Sequence, residues 1–271
     1  MYFFLLFACV SNSKQSSPKV DAVSLGNAHT CALFSGSVEC WGGDLSNESS
    51  PPQRDFFALS LGAYHSCGLD TGGFAECWGN NASGQSNPPS VPFLNISCGG
   101  NQCCGLDEVA SIVCWGSISS PPIGTFIDIS VGSSHACALH EEGHISCWGN
   151  NFSGLLDAPS GTFTALFSGD FHNCALRTNG STVCWGSNQY GQTEIPEEVF
   201  SHLALGSFHS CGIRSNDSGV CWGWDDHDQS NIPQEKWNTI ATGGHHTCGI
   251  TIEGALMCWG QNNAGQTSVP Q

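Results

Sequence analysis

The triplet Cys-Trp-Gly recurs seven times, ending at Gly42, Gly79, Gly116, Gly149, Gly186, Gly223 and Gly260. The interval between successive tryptophans is 37 residues throughout, except for 33 between Trp115 and Trp148. A second constant segment precedes each triplet. It reads Gly26-Asn-Ala-His29-Thr-Cys31-Ala-Leu33 in copy one and Gly132-Ser-Ser-His135-Ala-Cys137-Ala-Leu139 in copy four. A fixed period of this length means one supersecondary unit stacked on copies of itself. Residues 19–271 therefore form one domain of seven units.

Each unit reads as short strands. An apolar stretch such as Phe126-Ile-Asp-Ile-Ser-Val131 comes first, then a Gly-x-x-His turn, then a hairpin ending in the Trp. Alternation around a Gly-bearing turn is the usual hairpin signal. A Gly-x-Asn-x-x-Gly-Gln loop and a Pro-rich extended piece lead to the next copy. No stretch has helical periodicity. A solenoid would need polar capping repeats at its ends. Here the end copies are as regular as the middle ones, so the expected fold is all-β, a closed seven-bladed β-propeller.

The cysteines follow the same register. Seven pairs occupy matching positions: Cys31/Cys40, Cys67/Cys77, Cys104/Cys114, Cys137/Cys147, Cys174/Cys184, Cys211/Cys221 and Cys248/Cys258. Across a hairpin the two members face each other, close enough for one disulfide per blade. For Cys31/Cys40 the register puts a two-residue turn at Ser35-Gly36, and the other six need one more turn residue. Cys98 and Cys103, five apart in copy three, are left to pair with each other. The rival reading is zinc held by His29, Cys31 and Cys40. No fourth ligand recurs, and copy three keeps Cys104 and Cys114 although Gln102 replaces its His. Disulfides are the better reading, and neither metal nor cofactor is expected.

The six repeat histidines, His29, His65, His135, His172, His209 and His246, read as turn residues satisfying local backbone groups. The repeat Trp follows its Cys by one residue, points to the other strand face, and is expected to pack on the next blade.

Residues 1–18 read as a secretory or lipoprotein signal plus linker. Tyr2 to Val10 is apolar but too short to span a membrane, and polar, small residues follow. Cys9 is either an acylated first residue or is lost with an ordinary signal. So many cysteines behind such a segment point to an oxidising, extracellular compartment. Acids outnumber bases 23 to 6, for a net charge of −17. Six Lys and Arg in all cannot neutralise a nucleic-acid backbone. The same charge disfavours an anionic membrane, leaving only a lipid anchor as a membrane link.

The pattern G-x-x-H-x-C-A-L … G-x-V-x-C-W-G-x-N-x-x-G-Q resembles the repeat of the regulator-of-chromosome-condensation family. It is most similar to the shorter, Cys-bearing variant of secreted bacterial proteins and of the crinkly-type ectodomains of plant receptor kinases. The resemblance covers all seven copies and implies a seven-bladed propeller. The family's founder is a nuclear guanine-nucleotide exchange factor, and its relatives include ubiquitin-ligase scaffolds and a secreted β-lactamase inhibitor. The Cys pairs, short repeat and acidic charge of this chain depart from the founder.

No nucleophile elbow, phosphate loop or zinc-protease motif is present in the sequence. Propeller function sits on loops, and two loops break the pattern. Copy three is four residues short after Gly116. Copy six replaces its Asn-x-x-Gly loop with Trp224-Asp225-Asp226-His227-Asp228, a candidate ligand-binding loop or simply a solvated acidic one. Six Asn-x-Ser sequons, at Asn47, Asn81, Asn95, Asn151, Asn179 and Asn216, are candidate glycan sites if the chain is secreted by a eukaryote. The function expected is a monomeric, non-enzymatic, extracellular or surface-anchored scaffold that binds a protein or glycan through propeller loops. The alternatives are a secreted enzyme inhibitor and a guanine-nucleotide exchange factor.

Overall fold

A computed structural model describes residues 19–118 and 120–270. The N-terminal apolar run and Cys9 lie outside the described residues. Blade one is β1 (Val20–Leu25), β2 (His29–Phe34) and β3 (Ser37–Gly42). Blade two is β4 (Ala58–Leu61), β5 (His65–Leu69) and β6 (Ala75–Gly79), and blade three is β7 (Phe93–Gly99), β8 (Gln102–Asp107) and β9 (Ile112–Gly116). Blade four is β10 (Phe126–Val131), β11 (His135–His140) and β12 (Ile145–Gly149), and blade five is β13 (Phe163–Ser168), β14 (His172–Arg177) and β15 (Thr182–Gly186). Blade six is β16 (Phe200–Leu205), β17 (His209–Arg214) and β18 (Gly219–Gly223), and blade seven is β19 (Trp237–Thr242), β20 (His246–Thr251) and β21 (Leu256–Gly260).

Each blade is an antiparallel three-stranded sheet made wholly from one repeat. The first strands of successive blades touch in order around an axis, and β1 meets β19, so the ring is closed. Their ends surround a central cavity of about 190 Å³, bordered by glycines, Asn27, Cys98, Asp170 and Ser207.

The hairpin turns behave as the register requires. Phe34 pairs with Ser37, leaving Ser35 and Gly36 as the turn, at φ 53° and 95°. That is the mirror-image turn whose twist matches the strands. The other six hairpins have one more turn residue, and the positive-φ position is held by Gly73, Gly143, Gly180 and Gly254, and by Ala110 and Asp217 in blades three and six.

That register brings the paired cysteines face to face. Bridges join Cys31 to Cys40, Cys67 to Cys77, Cys104 to Cys114 and Cys137 to Cys147. They likewise join Cys174 to Cys184, Cys211 to Cys221 and Cys248 to Cys258. The Cα atoms of the seven pairs are 4.0–4.1 Å apart, the narrow, non-hydrogen-bonded kind of strand pair. Cys98 and Cys103 are bridged as well, across the turn between β7 and β8.

The two members of a bridge are not equivalent. The middle-strand cysteine is fully buried in every blade, whereas Cys40, Cys77, Cys114, Cys147, Cys184, Cys221 and Cys258 are only half-buried. They sit on the third strand, which is the outer edge of its sheet and has no further strand to cover it. What cover they have comes from the following blade. Cys184 packs on the cluster of Phe200 and Leu203, Cys221 on that of Trp237 and Ile240, and Cys258 on that of Val20 and Ala32 across the ring closure.

The core lies between blades. Trp78 and Phe56 of blade two pack on Cys31 and Leu33 of blade one. Trp115 and Phe93 pack on Cys67 and Leu69, and Trp259 and Trp237 on Cys211 and Ile213. The Trp thus packs on the preceding blade, not the next one. On that side the indole N–H finds an acceptor among the described residues in every blade but the fourth. In Trp78 it donates to Glu48 O of the preceding loop at 3.0 Å, and in Trp41 to Gln266 O at 2.9 Å.

The histidines also differ from expectation, because they bond across blades rather than to local backbone. His29 Nε2 lies 2.9 Å from Ser66 Oγ, His172 Nε2 2.8 Å from Ser210 Oγ, and His209 Nε2 2.9 Å from Thr247 Oγ1. Each of these hydroxyls donates its proton to the same loop carbonyl that takes the Trp N–H: Ser66 to Glu48 O, Ser210 to Gln192 O, Thr247 to Gln229 O. A hydroxyl has one proton to give. It therefore accepts from the imidazole, which fixes these rings as Nε2–H tautomers. The relay His, hydroxyl, carbonyl, indole joins blades one to two, five to six, six to seven and seven to one. Each ring lies flat on the glycine three residues before it: a Cβ on Gly62 would sit 2.1 Å from His65 Cε1.

Cys103 and Asn173 stand in for the hydroxyl in blades three and five, and between blades three and four the relay is lost. Blade three has lost the loop that would supply a carbonyl, and Ile118 fills the space beside Trp148. Trp148 Nε1 is buried with no partner among the described residues. Ala136 occupies the hydroxyl position, and Gln102 replaces the His, donating instead to Gly132 O and His135 O at 3.1 Å. These four departures from the repeat meet at one junction, between blades three and four.

Candidate functional site

In an antiparallel blade, the turn joining strands one and two and the loop after strand three lie at the same end of the ring. The second residue after the turn glycine, which starts the connection to the middle strand, is Phe171 in blade five, Phe208 in blade six and His245 in blade seven. The rings form a parallel row: Phe171 to Phe208 is 5.0 Å at 18°, and Phe208 to His245 is 6.2 Å at 10°. Tyr190 and Trp224, from the loops after blades five and six, stand across that row. Tyr190 meets Phe208 at 5.3 Å and 67°, and Trp224 meets His245 at 4.7 Å and 82°. These are the edge-to-face contacts that the aromatic quadrupole favours. His227 leans on Trp224 at 5.4 Å.

The patch is solvent-facing. Tyr190 is 46% exposed, and Phe171, Phe208, Trp224 and His245 are half-buried. Burial, with a smaller contribution from the neighbouring His227, lowers the His245 pKa, so its ring is uncharged at neutral pH. Toward the axis, Ser207 Oγ donates to the Asp170 carboxylate. Withdrawal from water raises the Asp170 pKa, and the Ser207 bond partly offsets this.

The acidic loop of copy six does not break the repeat's geometry. Asp225 stands where copies two, four, five and seven have Asn and copy one has Asp44, and its Oδ1 accepts the Ser230 N–H at 2.7 Å, as Asn262 accepts from Thr267 at 2.9 Å. Asp228, at φ 59°, takes the left-handed position filled elsewhere by Gly84 and Gly265. Gln229 Oε1 accepts the His227 N–H. Asp225 and Asp228 are therefore loop framework, and Trp224, Asp226 and His227 are the residues presented. The structure brings Trp224 and His227 together with Phe171, Tyr190, Phe208 and His245, which a loop-by-loop reading misses. Comparing the second residue after the turn glycine down the copies is the signal that finds them.

Blade three holds a second feature. Cys103 occupies the hydroxyl position of the relay, and its Sγ is 3.0 Å from His65 Nε2 and 3.7 Å from Cys67 Sγ. His65, Cys67, Cys98 and Cys103 cluster as metal ligands would, but all three sulfurs are spent in disulfides. The half-buried residues Cys184, Cys221 and Cys258 are bridged in the same way, which leaves no thiolate there for a metal or a nucleophile. All sixteen cysteines among the described residues are bridged.

A closed ring of three-stranded, Trp-anchored blades with a cluster of aromatic rings on its loop face defines a repeat propeller. Residues 126–155, 163–192 and 237–266 match the regulator of chromosome condensation (RCC1) repeat. The repeats of blades four, five and seven thus match the RCC1 repeat, and the chain resembles RCC1-like propellers. No curated protein matches it by sequence. Among solved structures it is similar to the entire ectodomain of the Physcomitrella patens receptor kinase CR4, with TM-score 0.80 and 26% identity over 90% of this chain and 73% of that one. It is also similar to the CRINKLY ectodomain of the Arabidopsis thaliana receptor kinase ACR4, with TM-score 0.75 and 25% identity over 91% and 97% of the two chains. Prp20p of Saccharomyces cerevisiae shares the fold, with TM-score 0.77 and 16% identity over 91% and 84%.

Proposed function

We propose that this chain is a non-enzymatic binding scaffold, secreted or held at the cell surface, that takes a protein or glycan ligand on the loop face of the propeller. The observation that carries this reading is the patch of Phe171, Tyr190, Phe208, Trp224 and His245, contributed by three consecutive blades. A self-contained fold has no need to place four large rings at a solvent-facing loop end. Rings held rigidly by one another give stacking area to a sugar or an apolar side chain at little cost in side-chain entropy. Eight disulfides favour an oxidising compartment, and similarity to receptor-kinase ectodomains points the same way. All six sequon asparagines are exposed, so glycans fit without disturbing the core. Anchoring through Cys9 belongs to the same proposal. An exchange-factor role has only the fold behind it.

The test is a Phe208→Ala/Trp224→Ala double variant, compared with wild type on an oligosaccharide array and against proteins of the native medium. A wild-type ligand whose capture falls at least tenfold in the variant supports the reading. Equal capture by both proteins overturns it.

A further inference from the structure

The other end of the ring carries the hairpin turns between second and third strands. In blade four that turn reads His140-Glu-Glu142-Gly-His144. Its shape is fixed by backbone bonds: His140 N–H to His144 O and Gly143 N–H to His140 O, each 2.9 Å, with Gly143 at φ 85°. These bonds set both imidazoles on one side of the turn, their rings stacked at 3.7 Å and 18°. His144 Nδ1 is 4.0 Å from Glu142 Oε2. One ligating atom from each of His140, Glu142 and His144 lies within 4.8 Å of the other two.

We infer that this turn is a binding site for a divalent transition metal, with zinc as its first ligand. Two imidazoles and a carboxylate form a borderline donor set that suits zinc, and also copper(II) and nickel(II), and disfavours calcium or magnesium. Bonds of ~2.0–2.1 Å place adjacent tetrahedral ligands about 3.3 Å apart. Exposed Glu142 and His144 reach that spacing by side-chain rotation, with the backbone unchanged. His140 is preorganised. Its ring packs on Phe126 at 4.4 Å, and its Nε2 bonds Ser146 Oγ at 2.9 Å, leaving Nδ1 for metal. A ligating His whose second nitrogen is held by an outer partner is the usual arrangement at metal sites. The repeat does not ask for these residues. The corresponding pairs are Asp70 and Phe74, Asp107 and Ser111, Arg177 and Ser181, Arg214 and Ser218, and Thr251 and Ala255. Three protein ligands leave a fourth tetrahedral position for water. The site lies at the opposite end of the ring from the aromatic patch and does not depend on it.

The experiment is calorimetric titration of tag-free, disulfide-intact protein with zinc chloride, supported by the visible spectrum of the cobalt(II) form. One zinc per chain is expected in the wild type. His140→Ala and His144→Ala should each weaken it at least tenfold, with Glu142→Gln weakening it less, while exposed His144→Ala leaves the melting temperature without metal unchanged. The absence of saturable binding to the wild type overturns the assignment. So does a His140→Ala/His144→Ala double variant that binds zinc with unchanged stoichiometry and affinity, since the metal then sits elsewhere on this acidic surface.

Discussion

His246 Nε2 of the last blade lies 2.9 Å from Thr30 Oγ1 of the first, and that hydroxyl donates onward to Gln266 O at 2.9 Å. Thr30 is thus the point where the relay passes from blade seven to blade one. Thr30→Ala leaves the His246 N–H buried without an acceptor. The expected loss is about 1–3 kcal/mol, read as a lower urea midpoint with an unchanged slope. Thr30→Ser keeps the hydroxyl and should lose less than half as much. Equal losses for the two would remove the relay from the account of ring closure.

The relay makes stability depend on pH. Burial lowers the pKa of His29, His172, His209 and His246 from 6.5 to about 3, and that of His65 to about 4. In His172, His209 and His246 the proton would have to go on Nδ1, which is buried without a partner. Between pH 6.5 and the folded values, the unfolded chain binds protons that the folded chain refuses. Stability is therefore fully present above pH 6.5 and falls as the pH drops toward 3 to 4. At pH 5 each ring costs at most about 2 kcal/mol. Thermal melts should show a lower Tm at pH 5 than at pH 7.5, and a flat profile between the two would contradict the buried neutral rings.

Disulfides should not contribute equally. A bridge closing a loop of about ten residues, such as Cys67–Cys77, is worth ~2–3 kcal/mol. Cys98–Cys103 closes a shorter loop, and Cys103→Ser puts a hydroxyl where the relay has one in blades one, two, six and seven. Cys98→Ala/Cys103→Ser should therefore cost about 1 kcal/mol, less than Cys67→Ala/Cys77→Ala. Denaturation of the two double variants under non-reducing conditions measures the difference.

Trp148 and Trp185 offer a matched pair. Trp185 Nε1 donates to Leu155 O at 3.1 Å, whereas Trp148 Nε1 has no acceptor among the described residues. Trp185→Phe gives up a buried hydrogen bond that Trp148→Phe does not, and should cost ~1–2 kcal/mol more. A larger loss at Trp148 in urea denaturation would mean that its N–H is satisfied after all.

What could be read from the sequence is whatever a single repeat contains. Cys31 faces Cys40 and Ser35-Gly36 turns the chain because both facts follow from counting within one hairpin. The same count pairs Cys184, Cys221 and Cys258 with their partners, but it does not say that these three lie half-buried at a sheet edge, because their cover comes from the next copy. What could not be read is whatever passes between copies. His29 bonds Ser66, and Trp41 bonds Gln266, across distances in sequence that no local pattern exposes. That is why local reasoning assigns the His to nearby backbone and the Trp to the wrong neighbour. The aromatic patch is half visible. Trp224 and His227 stand out in their loop, while Phe171, Phe208 and His245 each look ordinary until the fold sets them side by side. Asp225 and Asp228 look like chemistry, but their loop position explains both.

Every blade draws its three strands from one repeat, so no strand is lent across the closure. A ring whose blades meet through packing, side-chain bonds and a few turn-to-turn backbone bonds, such as Gly244 N–H to Gly26 O, can be cut and rejoined at any connector without re-threading a sheet. Gene rearrangements that move whole units, or start the chain at a different blade, would leave each sheet whole, and the number of blades in such a lineage is free to drift while the loop face diversifies.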